Sequence, residues 1–105
     1  MNNYVFIYRG GVEFESPEEG AKHMAKWGAW VGGLGDASVN RGSPFKKSKI
    51  VSSGGVSDSG SDPLTGYSIV KANSMDAALE MAKACPHFDI GGSIVVAEAM
   101  EMPGM

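Results

Sequence analysis

Five consecutive residues near the start of the chain, Tyr4-Val5-Phe6-Ile7-Tyr8, are apolar or aromatic without interruption, and Gly10-Gly11 follow them. A short β-branched and aromatic run predicts a strand, and its lack of alternation predicts cover on both faces. Ser16-Pro17-Glu18-Glu19 then marks a helix start. Ser16 can cap, Pro17 suits the first helical position, and Glu19 completes a capping box. The helix is expected to reach Trp30 or Val31 and to stop at Gly32-Gly33. On a wheel of ~100° per residue, Ala21, Ala25 and Gly28 form a stripe of small residues. Met24 and Val31 adjoin it, Trp27 follows, and His23 and Trp30 stand at the margin. The small stripe is expected to bring the helix close to a sheet.

The glycine-rich stretch 32–46 allows a short strand around Leu34–Val39, and Lys49-Ile50-Val51 looks like part of another. The Ser/Gly-rich residues 52–62 predict a long loop or hairpin tip. Tyr67 to Ala72 restores strand alternation. Ser74 caps a second helix, from Met75 to about Cys85, closed by Pro86. Its apolar arc holds Met75, Ala78, Leu79, Met81, Ala82 and Cys85. A last strand covers Ser93 to Ala97, and the tail 101–105 is expected to fray or to lie over a neighbour.

The order β, α, one or two β, β, α, β defines an α+β, ferredoxin-like fold in one domain spanning residues 1–105. In that split βαβ arrangement two helices lie on one face of an antiparallel sheet. Strands that are apolar on both sides then leave an open apolar sheet face. Pairing with a second copy through that face, as a dimeric α/β barrel, is the economical cover.

Composition narrows the function. The 105 residues are 43% hydrophobic and 20% charged, with a formal net charge of −3, which is globular and unsuited to neutralising phosphates. No nucleic-acid partner is expected. The single cysteine, Cys85, permits no internal disulfide and is expected to pack inertly on the second helix. No basic leader and no run of ~18 apolar residues appear, so a cytoplasmic protein without membrane contact is expected.

The chain resembles the YCII-related family of small bacterial proteins. The opening strand, the histidine helix Lys22-His23-Met24-Ala25-Lys26-Trp27 and the exit Val31-Gly32-Gly33-Leu34-Gly35 carry the first half of the likeness. Leu64 to Val70, Ser74 to Pro86 and Gly92-Ser93-Ile94-Val95-Val96 carry the second. One branch of that family has an Asp-Gly-Pro-Phe segment before its third strand, and this chain has Gly54-Gly55-Val56-Ser57 there. The resemblance implies a dimeric α/β barrel and a helix histidine with a proposed aspartate partner as an acid–base pair. It implies no settled activity.

His23 is the candidate general acid or base, because histidine titrates near neutrality. Asp36, just beyond the glycine-rich exit, is its candidate partner. The alternative for His23 is packing beside Trp27, one turn away. Trp27 and Trp30 are candidates to line a ligand pocket, or else belong to the core. His87, in a turn with Asp89, is a further candidate. Asp58 and Asp62 read as solvated loop acids, and no metal-ligand spacing, phosphate loop or dinucleotide fingerprint is present, so no cofactor or metal is expected. Three readings follow: a cofactor-independent enzyme moving a proton on a small organic molecule, a non-catalytic dimeric binding module with the Ser/Gly loop as lid, or an association domain.

Overall fold

The computed structural model describes residues 1–58, 60 and 63–100; Asp62 and the tail 101–105 lie outside the described residues. Six strands and two helices follow one another among the described residues. They are β1 (Asn2–Arg9), α1 (Pro17–Leu34), β2 (Ser38–Pro44), β3 (Lys49–Ser52), β4 (Gly55–Asp58), β5 (Leu64–Ala72), α2 (Met75–Lys83) and β6 (Ser93–Glu98). Short 3₁₀ turns at Gly35–Ala37 and Pro86–Ile90 follow the two helices. Four strands form an antiparallel sheet in the order β2-β5-β1-β6, the order compatible with a ferredoxin-like fold, while β3 and β4 form a separate hairpin.

The central strand fixes the core. Tyr4, Phe6 and Tyr8 point to the helix side of β1 and are buried with Val70 and Ala72 of β5 and Ala78, Ala82 and Cys85 from α2 and its exit. Burying an aromatic ring of this size is worth ~1.5–3 kcal/mol. The alternate residues, Val5 and Ile7, point the other way. Val5 stands opposite Ile69 and Ala97, and Ile7 opposite Tyr67 and Val95, so this second face is also apolar. No described element covers it: Val5, Ile7, Tyr67 and Ile69 are only half-buried and Val95 is exposed.

Both helix starts follow their caps. Ser16 Oγ accepts from Glu19 N at 3.2 Å, and Ser74 Oγ accepts from Ala77 N at 3.1 Å. The Glu19 carboxylate accepts from the backbone of Glu15, one residue ahead of the cap, at 3.2 Å. The helix does not stop at Gly32-Gly33. It runs through both to Leu34 and ends where Gly35 turns with φ 57°, because propensity alone does not break a helix whose last turn is packed.

The face that α1 buries differs from the expected one. His23 is buried and Trp27, Trp30 and Leu34 are half-buried, whereas Ala21, Ala25 and Gly28 are exposed. At ~100° per residue the small stripe lies almost opposite the aromatic one. Rings reaching the sheet hold the helix off it: Trp30 stacks on Phe6 with centroids 6.3 Å apart, and Trp27 meets Tyr8 edge-on at 4.8 Å. The helix is therefore a standing wall at its N-terminal half, and a cleft opens between it and the sheet.

The second strand lies at Ser38–Pro44, later than the expected Leu34–Val39. It is bulged between Asn40 and Ser43. Gly42 adopts φ 77°, and a Cβ there would overlap the carbonyl of Tyr67, so only glycine fits the bulge. The Ser/Gly-rich stretch contains β4, which pairs with β3 as a free-standing hairpin; Lys49 and Asp58 join its open end by an ion pair.

Candidate functional site

The bulge in β2 has a chemical consequence. It leaves the Arg41 carbonyl to accept from Ser68 Oγ on β5 at 2.9 Å, and Ser68 Oγ in turn accepts from Tyr8 Oη at 2.8 Å. Since a carbonyl only accepts, every proton in this relay runs one way, from Tyr8 through Ser68 to Arg41. Burial pushes the Tyr8 phenol well above its ordinary value, with the Ser68 hydrogen bond pulling the other way. Tyr8 is therefore a poor proton donor and an intact hydroxyl at any ordinary pH.

Tyr8 forms part of the floor of a cleft of about 990 Å³ between α1, the 10–17 loop, β2 and β5. Two imidazoles border it. His23, 8% exposed, accepts from Trp27 Nε1 through its own Nε2 at 2.7 Å. Indole N–H can only donate, so Nε2 must hold its lone pair, and the proton of neutral His23 sits on Nδ1. Burial pushes His23 below its ordinary value of 6.5; the Asp89 carboxylate opposes this, and His87 and Lys26 add to it.

His87, 4% exposed, comes from the Pro86–Ile90 turn, and its Nε2 lies 2.8 Å from the Arg9 carbonyl. Its proton must therefore sit on Nε2, the opposite tautomer to His23. Gly92 makes this position possible, since a Cβ there would overlap the His87 ring. Trp27 stands among these groups, touching Tyr8, His23, Trp30 and His87 ring to ring. Phe14 tilts over His23 at 5.0 Å, and Phe45 stacks with Tyr67 at 5.8 Å on the open-face side of β5.

Of the residues singled out in the sequence, His23 and Trp27 line this cleft together and Trp30 does not. Trp30 is a core residue, its Nε1 donating to the Met81 carbonyl at 3.0 Å and so tying α1 to α2. Asp36 is not brought to His23. It is exposed in the turn after α1 and borders a separate hollow of about 340 Å³ with Lys71, Asn73 and Met81. From His23 to the end of α1 is already about 16 Å at the helical rise. The carboxylate whose field reaches His23 is Asp89, and its oxygen pairs with Lys26 Nζ at 3.4 Å on the surface.

Tyr8 and Ser68 belong to no motif, and His87 stands in the sequence only as a turn residue near Asp89, yet all three are cleft groups. The Gly11 and Gly92 positions around His87 were the available signal, because a ring packed against two glycines needs their missing side chains. Cys85 is buried beneath the same turn, and burial raises its thiol to about 11, so it stays protonated and unreactive. Among the described residues no helix is long and apolar enough to cross a membrane, and no three His, Cys, Asp or Glu side chains converge.

The chain matches no protein-family model and no curated protein.

Proposed function

We propose that this chain is a small-molecule-binding module of the YCII-related kind, working as a homodimer joined through the open sheet face. The observation that carries the binding reading is the cleft itself. It is large, mostly apolar, and bordered by buried polar groups already oriented by the protein, which is the usual anatomy of a ligand site. His23 Nε2 is occupied by Trp27, and among the described residues no carboxylate hydrogen-bonds its ring, so the arrangement favours holding a ligand over moving a proton. The apolar rows Val5–Ile69–Ala97 and Ile7–Tyr67–Val95 support the pairing, since a surface of that kind usually serves association.

The acid–base enzyme is the second reading. It is favoured by a histidine beside a cleft with a titration below its ordinary value. It requires Trp27 to release Nε2 when substrate binds.

A fragment screen by thermal shift tests the first reading, with Trp27→Leu as the control for site. Ligands that raise the melting temperature of the wild type and not of the variant support it. A screen that yields no stabilising ligand sinks it. Retained binding in His23→Gln, with no turnover of any bound ligand by either protein, separates binding from catalysis. Light scattering at micromolar concentration tests the dimer, and a strict monomer overturns that part.

A further inference from the structure

The hydrogen-bond accounting of the cleft, which rests on the binding reading above, limits what the site can take. We propose that its ligand is an uncharged aromatic molecule carrying an N–H or O–H donor.

The argument begins with charge. The buried polar groups of the lining are His23, His87 and Ser68, with the Tyr8 and Thr65 hydroxyls beside them. Trp27 fixes His23 with a bare Nε2, which protonation would turn into a second donor facing the indole N–H. The imidazole is therefore held neutral by a contact, not only by its burial. Tyr8 keeps its proton because Ser68 needs it, and Ser68 keeps its own for Arg41. The ionised side chains of the lining, Glu13, Glu15 and Arg41, are exposed at the rim. A charged group on a ligand entering between the aromatic walls would shed water and find no counter-charge at the floor, which is costly.

The same accounting gives the ligand's polarity. Tyr8 Oη donates to Ser68 and retains an unused lone pair. His87 donates from Nε2 to the Arg9 carbonyl, leaving Nδ1 as an acceptor with no side-chain or backbone partner among the described residues. Spare acceptor capacity thus comes from three groups, Tyr8, His87 and the buried Thr65 hydroxyl, which has no partner among the described residues, and spare donor capacity from two, His23 Nδ1–H and Thr65. A ligand bringing its own donor answers the majority. The walls specify the rest: Tyr8, Phe14 and Trp27 present ring faces and edges suited to offset or edge-on stacking with another ring. The volume of about 990 Å³ leaves room for a bicyclic or larger molecule.

Four probes of one shape test the proposal on the wild-type protein at pH 7.5 by isothermal titration calorimetry. They are 2-naphthol, its methyl ether, 2-naphthoate and 2-naphthylmethylammonium. The expected order places 2-naphthol first, by about tenfold over the methyl ether, the usual effect of leaving a buried acceptor unpaired. Both ions are expected weaker still. Tyr8→Phe, checked for folding by its melting curve, is expected to weaken 2-naphthol and leave the ether unchanged. An ion binding as tightly as 2-naphthol overturns the proposal, as does an ether that equals it. If none of the four binds while the fragment screen finds charged or aliphatic ligands at Trp27, this proposal fails and the binding module stands. A screen empty of all ligands fails both.

Discussion

On the helix side of β1 the rings of Tyr4 and Phe6 are fully buried, while Val5 and Ile7, one residue away on the other side, keep part of their surface in water. The residues are of the same class and belong to the same strand. What differs is the cover. Two helices with aromatic and small apolar side chains close the first face around Phe6, and then stand away from it near Tyr8, where the cleft begins. The second face is a lattice of Val, Ile, Tyr and Ala with no described element above it. A concave aromatic surface suits a small molecule, and an open apolar one suits another sheet. The two faces of one sheet thus differ in their cover and not in the class of residue they carry.

The largest test of that contrast is Phe6→Ala. Deleting a fully buried ring is expected to cost ~3–5 kcal/mol, a large share of the ~5–15 kcal/mol available to a domain. Urea unfolding should show the loss, and a change under 1 kcal/mol would mean the helix side is not the core. Ile7→Asp probes the other face at the next strand position. Its effect is expected on association, about 2–4 kcal/mol, with the monomer's own unfolding little changed. Sedimentation velocity reads this directly, and an unaltered oligomer at all concentrations would count against pairing through this face.

Smaller effects examine the cleft end of the helix side. Ser68→Ala strands both the Tyr8 hydroxyl proton and the Arg41 carbonyl, and is expected to cost ~1–3 kcal/mol, whereas Tyr8→Phe removes only a donor and should cost ~0.5–1.5 kcal/mol. The reverse order in chemical denaturation would mean the relay does not run from Tyr8 to Arg41. The pH response is smaller. The folded chain binds a proton at His23 less readily than the unfolded chain, whose imidazole has its ordinary value of 6.5. As pH falls below that value the unfolded state gains the proton first, so stability declines until the lower folded value is passed, and above about 6.5 the contribution is flat. His23→Gln should flatten this limb of the unfolding profile, and a limb of equal depth in the variant would assign it to another group. Lys26→Ala, which removes one half of an exposed ion pair, is expected to change stability by no more than ~1 kcal/mol.

How much of this was legible in the sequence follows from the range of the forces involved. β1, β5, β6 and both helix starts are written in local signals: unbroken apolar runs and serine caps whose hydroxyls make the expected bonds. β2 was misplaced because Ser-Val-Asn-Arg-Gly-Ser-Pro carries almost no apolar pattern; it is a strand only because β5 offers it a ladder. The side of α1 that faces the sheet was misjudged for a related reason. Small residues can permit a close approach, but Trp27, Trp30 and His23 found rings on β1 and the Pro86–Ile90 turn to meet, and those contacts won. His23 and Asp36 are near in the chain, but the helix between them converts that nearness into distance along an axis. Tyr8 with Ser68, and His87 with Arg9, join residues 60 and 78 positions apart, and no local pattern announces either.

The free-standing β3–β4 hairpin carries a consequence for the order of folding. Its ladder closes over residues at most nine apart, from Lys49 to Asp58, around a two-residue turn. Hairpins of this kind form in about 1–10 μs. The β1–β5 ladder instead joins Asn2 to Ala72 and must wait for most of the chain to be gathered, which is slow because the closure entropy comes before any contact is made. The arm can therefore zip and unzip many times while the sheet is still unassembled. Its persistence in the finished protein is set by what it comes to rest on and not by the folding of the domain that bears it.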